Sequence, residues 1–352
     1  MTPDQYEAWV AKVAGVSTSD LGGRHLAAVY RRVSAQITGR SSLGEVTTSP
    51  DGANEEVMVR ALVYGQRTAL ILRHLLSPTW LEGRRVVDVG AGTGAGSLFA
   101  LEAGADGVVS LEAGQGELNW LRSAQRVHVH RDRWHIQSKS TTWRDLQPEL
   151  GDRWLFLFSF LEIAGGQPRA GRSALQRLVD AGCQITIVEA GTREAAHALA
   201  ALRDDLADQV SAPCPARERC PRGPNSRDWC HFTWKRSLGP AATALAQGGG
   251  RRSNLLHFSY LQLGPAGPQV TEGRLLEVER RGRRTRTLRI CTQDGERAYE
   301  VDRRDRSLWD WTDQREANDR VGRPGSADVE PGARDPRLRR PLPTPCPSTR
   351  ST

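Results

Sequence analysis

In RRVVDVGAGTGAGSLFALEAGA, residues 84–105, a short β-branched run, a glycine turn and the mouth of a helix follow one another without a break. Few folds use that order, because a strand feeding straight into a helix has to pack the helix back over a parallel neighbour. The alternation then repeats. GVVSLEAG, RWLFLFSFLEI and CQITIVEAGT read as further buried strands, and AGRSALQRLVDAG as a helix between two of them. TREAAHALAALRDDLADQV continues the pattern, with Leu199, Leu202, Leu206 and Val210 on one helical face. NLLHFSYLQLG, residues 254–264, closes the sheet as its last strand. The expected fold is α/β, a parallel sheet covered on both faces.

Three other segments flank this pattern. Residues 1–78 read as a helical region, since RHLAAVYRRVSAQI and ANEEVMVRALVYGQRTALILRHLL space apolar residues by three and four until Ser77-Pro78. Residues 79–264 form the α/β domain, and 265–312 a small β-rich lobe of three strands with turns at Gly282 and Asp294-Gly295. Residues 313–352, rich in Gly, Pro, Asp and Arg, have no hydrophobic period and read as a disordered tail.

The formal charge is +8 and Lys12, Lys139 and Lys235 are the only lysines, so arginine carries nearly all the positive charge. A GC-rich genome accounts for the choice of arginine but not for the surplus of base, which suits a nucleic-acid or ribosomal partner. The N-terminal residues show neither a signal nor a transit pattern, and no apolar run reaches membrane length. The expectation is a soluble, cytoplasmic, monomeric protein. In a reducing compartment, clustered cysteines point to metal or redox chemistry before disulfides.

Gly90, Gly92 and Gly94 lie directly after the first strand, where the backbone turns sharply and a ligand can approach the main chain. Glu112 ends the second strand, where a carboxylate of a nucleotide-binding α/β fold accepts ribose hydroxyls. Asp88, inside the first strand, is an acid where a dinucleotide site rarely has one. This D-x-G-x-G-x-G form resembles the S-adenosylmethionine-binding loop of class I methyltransferases, in which the acid helps hold the cofactor's ammonium group. The segment FLFSFLEI has neither an Asn/Asp-Pro-Pro-Tyr signature nor a Pro-Cys pair. Ser159 and Glu162 stand in the right region, but as ordinary strand-end residues, and no catalytic residue is assigned.

SAPCPARERCPRGPNSRDWCHF, residues 211–232, crowds Cys214, Cys220 and Cys230 between prolines, in a loop placed within 211–236. Reduced core thiols, a structural zinc site completed by His231, and an iron–sulfur cluster completed by a distant cysteine all compete as explanations. Among the other cysteines, Cys183 opens a buried strand and Cys346 lies in the tail. Cys291, at a strand end in LRICTQDG, is the candidate fourth ligand.

With its Trp229-Cys230-His231-Phe232 tetrapeptide and the following FSYLQLG, this loop resembles the methyltransferase-like assembly factors of the mitochondrial small ribosomal subunit and their bacterial relatives. IVEAGT, residues 187–192, is similar to that family's Val-Glu-Pro-Gly-Thr, and the resemblance covers roughly residues 60–300. It implies an S-adenosylmethionine-type Rossmann domain and a 4Fe-4S cluster held by Cys214, Cys220, Cys230 and Cys291. Ala190 stands where the family has proline. LVYGQRTALILRHLL only loosely resembles the family's Arg-x-Pro-Ala-Thr-Tyr segment, and the step from Cys220 to Cys230 is longer.

RRGRRTRTLR, residues 280–289, holds six arginines and no acid; Arg251 and Arg252 add charge in another loop. Arginines on a hairpin often form only a solvated edge. Beside a ribosome-linked cysteine site, Arg280, Arg281, Arg283 and Arg284 are candidates for rRNA phosphate contact. The leading expectation is therefore a small-subunit assembly or maturation factor that docks on rRNA. An active S-adenosylmethionine-dependent rRNA methyltransferase is the first alternative, and a zinc-stabilised methyltransferase of a small molecule or protein the second.

Overall fold

The computed structural model describes residues 1–37, 50–76, 78–138, 154–159, 168–214, 219–223, 226–250, 255–264, 273–280, 284–292, 295–306, 308–310 and 320–321. The chain divides into two compact units. The first comprises Met1–Ile163, Arg169–Glu189 and Lys235–Leu256; the second comprises Ala164–Pro168, Ala190–Trp234 and His257–Thr352.

The first unit begins with helices α1 (Pro3–Ala14), α2 (Arg24–Ile37), α3 (Pro50–Val59), α4 (Gln66–Leu75) and α5 (Pro78–Leu81). Thr2 and Gln5 form a reciprocal cap at the start of α1, and Gly15 ends it in the left-handed region at φ 69°. A π-helical stretch, Arg60–Gly65, joins α3 to α4. A Cβ on Gly65 would stand 2.3 Å from the Tyr6 hydroxyl and 3.1 Å from Thr93 Oγ1, so only glycine lets this helix approach the glycine loop so closely.

Strands β1 (Arg85–Val89), β2 (Gly107–Glu112), β3 (Trp134–Ser138), β4 (Trp154–Ser159) and β5 (Gln184–Ala190) lie in the order β3-β2-β1-β4-β5. All of these pairings are parallel. Helices α6 (Ala95–Glu102), α7 (Gln115–Val127) and α8 (Pro168–Asp180) connect them. The order reverses beside β1, so the turn after β1 opens at the crevice where such sheets bind ligands. This is a Rossmann-like fold. Its central strands bury Val86, Phe156, Leu157, Ile185 and Ile187, with Asp88, Thr186 and Glu189 buried among them.

The second unit contains α9 (Arg193–Asp205), strand β6 (Val210–Ala212) and most of strands β7 (Phe232–Lys235) and β8 (Leu255–Leu263). Strand β8 runs antiparallel to β6 and also pairs with β7. The periodicity through Val210 overreaches. Leu199, Leu202 and Leu206 are buried, but α9 ends at Asp205, Leu206 leaves the helical region, and Val210 pairs with Leu263. Two aspartates in the last helical turn oppose the helix dipole and favour that stop.

Helix α10 (Pro240–Gly248), in the first unit, has alanine at four of its nine positions and carries no clear stripe. Its start is held by tertiary contact instead. The buried Glu7 carboxylate accepts the N–H groups of Ala241 at 3.1 Å and Ala242 at 2.9 Å.

The rest of the second unit is an antiparallel sheet of β9 (Gly273–Arg280), β10 (Thr285–Thr292), β11 (Gly295–Asp302) and β12 (Arg320–Val321), in the order β11-β10-β9-β12. Leu288, Ile290, Val301 and Leu308 form its core, and the Arg286 guanidinium stacks 3.7 Å above the Trp309 ring. No helix among the described residues is long and apolar enough to cross a membrane.

Candidate functional site

Gly90, Gly92 and Gly94 take φ values of 62°, 53° and 82°, which side chains with a Cβ rarely adopt. Their loop is tied down from both sides. Glu112, at the end of β2, accepts the Gly92 N–H at 2.7 Å through one oxygen. Its other oxygen accepts the N–H groups of Ala113 and Gly114 at 2.7 and 2.8 Å. The carboxylate that the sequence places at the ribose position thus stands against the glycine loop itself.

Asp88 is buried beneath the loop, and its Oδ2 accepts both the backbone N–H and the hydroxyl of Ser97 at 2.7 Å. The parallel register sets Asp88 beside Ser110, whose Oγ lies 2.6 Å from Ser97 Oγ. Trp134 Nε1, on β3, donates to Ser110 at 2.7 Å. An indole can only donate and a carboxylate only accepts, so every proton in the row points from Trp134 towards Asp88. Gly96 belongs to the same arrangement, since a Cβ there would stand 2.8 Å from the Asp88 carboxylate. Sequence reasoning stopped at Gly94 and missed Gly96, Ser97, Ser110 and Trp134. The available signal was the continuation of the motif into Gly-Ser on the first turn of α6.

Burial pushes the Asp88 carboxyl up to about 6 from its usual 3.8, against the pull of the two Ser97 bonds, and the Glu112 charge adds a small upward push. Folding therefore favours the protonated form. Stability is highest below the unfolded value, falls as pH rises through the interval to about 6, and is flat above it. At about 1.4 kcal/mol per unit, the loss is on the order of 3 kcal/mol. Asp88→Asn retains an oxygen for both Ser97 bonds and should remove most of that slope. Urea unfolding of both proteins at pH 5 and pH 7.5 checks this; parallel pH profiles would refute it.

The cysteine site is built wholly within the second unit. Cys214 follows β6, Cys230 precedes β7, and Cys220 lies between them. All three line one pocket with Arg203, Phe232, Ser259 and Tyr260. Cys291 is buried on β10. Burial and, secondarily, the charges of Cys230 and Cys291 push the Cys220 thiol up to about 11, which brings the fourth cysteine into the same electrostatic neighbourhood.

Several bonds shape the loop. Ser259 Oγ donates to the Cys230 carbonyl at 2.9 Å, and Trp229 Nε1 to that of Gly191 at 3.1 Å. Arg193 and His197 on α9 reach the carbonyls of Ser226 and Asp228. His231 stacks on Trp229, with centroids 5.3 Å apart, and its Nδ1 lies 3.3 Å from the Trp229 carbonyl. Cys183 is fully buried at the start of β5, and burial pushes its thiol up to about 11, the state of an inert core thiol.

A charged clamp joins the loop to the hairpin bearing Cys291. Arg222 donates to both oxygens of Glu296, Nε at 2.8 Å and Nη2 at 3.0 Å, and Arg289 Nη1 adds a bond of 3.1 Å. Glu296 stands directly opposite Cys291 in the β10–β11 register. Burial alone would raise the Glu296 carboxyl, but the two guanidinium groups hold it below its usual range. Nothing in the spacing of the cysteines announced this pair.

The thiols line one pocket, but among the described residues no group of three or more His, Cys, Asp or Glu side chains is arranged to hold a metal ion. A single zinc at about 2.3 Å from each sulfur requires the ligands to converge on one point. In a 4Fe-4S cluster each thiolate takes its own iron, so the sulfurs stay farther apart. Cys214, Cys220 and Cys230 thus share a pocket whose donors are thiols, with Cys291 on the neighbouring hairpin.

Of the basic quartet, Arg280 ends β9 and Arg284 is exposed just before β10. Arg281 and Arg283 lie outside the described residues, as do Glu162, Arg251, Arg252 and Cys346.

Residues 77–309 match the family model of the mitochondrial small ribosomal subunit Rsm22. The chain belongs to that family. The matched span of this Rsm22-family protein contains the glycine loop, Glu112 and all four candidate cysteine ligands. No curated protein matches the chain.

Among solved structures, magnesium protoporphyrin IX methyltransferase from Synechocystis PCC 6803 is similar at 14% identity and a TM-score of 0.36, over 66% of this chain and 88% of that one. An S-adenosylmethionine-dependent methyltransferase from Mesorhizobium loti is similar at 19% identity and a TM-score of 0.28, over 40% of this chain and 54% of that one. The match thus spans about half the length of the Mesorhizobium enzyme. Likenesses of this size carry no function across.

Proposed function

We propose that this Rsm22-family protein is an assembly or maturation factor of the small ribosomal subunit that contacts rRNA with the aid of a 4Fe-4S cluster. The observation that carries the reading is the family match, which runs unbroken from the first strand of the α/β sheet to beyond Cys291. Cys214, Cys220, Cys230 and Cys291 are the thiolates that would hold the cluster. When bound there, it would supply a covalent crosslink between the loop and the β10 strand. Metal binding would then add to the stability that the unit has without it.

The glycine loop supports a second element, S-adenosylmethionine, which supplies an electrophilic methyl group when bound. Gly90, Gly92 and Gly94 would let it approach the main chain closely, and Glu112 would take its ribose hydroxyls in place of one of the carboxylate's present N–H partners. Asp88 would face the ammonium group's charge from below the loop. An active rRNA methyltransferase remains the second reading on the strength of this loop and Glu112.

The contact with rRNA would run through Arg280, Arg281, Arg283 and Arg284. Replacing all four with glutamine should weaken co-sedimentation with immature small subunits. It should also flatten the salt dependence of binding, at about 0.7 to 0.9 log units of affinity per phosphate contact and per log unit of salt. Iron content should not change. If the quadruple variant co-sediments as the parent does, these arginines are a solvated edge and the contact lies elsewhere.

A further inference from the structure

Trp134, on β3, meets the glycine loop in two ways. A carbon added at Gly94 would stand 3.1 Å from its ring, and its Nε1 begins the row that runs through Ser110 and Ser97 to Asp88. The ring is itself held in place. His128 meets it edge-on with centroids 5.7 Å apart, and Gln125 Nε2 donates to the Trp134 carbonyl. Trp134, Ser110 and Ser97 are fully buried and Asp88 nearly so, and bulk solvent does not compete for these bonds. Asp88 Oδ2 receives two donors, the Ser97 N–H and the Ser97 hydroxyl. A proton on Oδ2 would oppose both. It would also turn the Ser97 hydroxyl back towards Ser110, which already accepts from Trp134. Oδ2 is therefore kept as an acceptor, and any proton that Asp88 takes goes to Oδ1. In the sheet register Ser110 and Leu157 flank Asp88, and Glu112, farther along β2, is the charge whose field reaches it. Glu102, the one charged residue of α6, bonds His128, and Arg85, at the other end of β1, lies over the Trp154 ring.

Resting on the S-adenosylmethionine reading above, we propose that Trp134 is a positioning residue for that ligand, holding Asp88 through Ser110 and Ser97 as a charged acceptor for the ligand's ammonium group. The loop has room above it: among the described residues, a carbon added at Gly92 meets nothing nearer than the Gly90 carbonyl oxygen at 3.9 Å. Hydrogen bonds in series polarise one another, so a donor at the far end strengthens the last bond, the one on the carboxylate. That bond favours the ionised acid, while burial favours the neutral one. Loss of the indole N–H tips the balance towards a neutral Asp88, which offers an ammonium group no charge. Affinity for the ligand is then low where Asp88 is protonated, rises with pH through about 6, and levels off above it.

The test measures S-adenosylmethionine affinity by calorimetry between pH 5 and pH 7, and urea unfolding of the ligand-free chain over the same range. It compares the parent with Ser97→Ala, Ser110→Ala, Trp134→Phe and the double variant of the last two. Parent affinity should be about tenfold lower at pH 5 than at pH 7, since about a tenth of Asp88 is ionised one unit below its midpoint. Ser97→Ala loses a bond made directly to the carboxylate and should raise that midpoint by about one pH unit. Ser110→Ala should raise it by roughly 0.3 units and Trp134→Phe by somewhat less. The double variant should move it no further than Ser110→Ala, because the two donors act in series. In the ligand-free chain, the pH at which stability stops falling should rise by the same amounts. A merely structural role for Trp134 would lower stability equally at every pH and leave both midpoints in place. Should Trp134→Phe fail to fold, Ser110→Ala decides the matter, because it breaks the same row by removing one oxygen. Midpoints unchanged in the folded Ser110→Ala and Trp134→Phe variants would overturn this proposal alone. A parent that binds no S-adenosylmethionine at millimolar concentration would overturn the cofactor reading and this proposal together.

Discussion

On the cluster reading, serine in place of Cys220 should strip the protein of iron. Purified without oxygen, the parent chain should be brown and hold roughly four irons, one for each thiolate. Cys220 lines the pocket with Cys214 and Cys230 while feeling the charge of Cys291. A serine hydroxyl is a far weaker iron ligand than a thiolate, so Cys214→Ser, Cys230→Ser and Cys291→Ser should also lose most of the metal. Cys183→Ser should not, because that thiol is fully buried at the start of β5 and takes no part in the pocket. Cys291→Ser carries an additional expectation. The Arg222–Glu296–Arg289 clamp connects the loop to the hairpin without any metal. This variant should therefore lose iron while keeping its folded circular dichroism spectrum. Iron and sulfide analysis with absorbance near 400 nm decides the outcome. Stoichiometric zinc, or iron retained in all four variants, would rule the cluster out.

Gly94→Ala should be the most damaging single methyl in the glycine loop. At φ 82° an alanine is strained by about 1–2 kcal/mol. Its Cβ would also stand 2.7 Å from Leu121 Cδ2 and 3.1 Å from the Trp134 ring, both fully buried. Overpacking a dense core costs about 1–3 kcal/mol more. The sum, about 2–5 kcal/mol, is a large fraction of ordinary domain stability. Displacing Trp134 would also disturb the bond it donates to Ser110, and with it the row ending on Asp88. Gly92→Ala makes an internal control. Its φ is also positive, at 53°, but the nearest atom to the added carbon is the Gly90 carbonyl oxygen at 3.9 Å. It should cost only the backbone strain. Gly92→Arg should remain folded yet abolish S-adenosylmethionine binding in calorimetry. Equal melting temperatures for the two alanine variants would refute the packing argument. A parent chain that binds no S-adenosylmethionine at millimolar concentration would leave the fold standing and remove the cofactor.

The two sites differed in how much of them could be read from the residues. The glycine loop is a local structure. Strand, turn and helix are adjacent in the chain, and residues 85–102 alone specify them through β-branched packing and positive-φ glycines. Glu112 follows because a parallel strand pair with a helical crossover has a nearly fixed length. The cysteines were identifiable as a set because thiols between prolines have little core in which to hide.

Long-range pairing decided the rest. Ser97, Ser110 and Trp134 are unremarkable in sequence; the parallel register of β1, β2 and β3 and the packing of α6 put them in one row. Arg203 sits on the apolar face of an amphipathic helix and looks like a surface charge until Asp204 and the cysteine loop close over it. Arg222 and Glu296 are 74 residues apart, and only the tertiary fold brings them together. Periodicity and spacing report what neighbours along the chain do to one another. Which buried charge meets which partner depends on contacts whose free energy appears only after the chain has folded, and a one-dimensional pattern cannot carry that information.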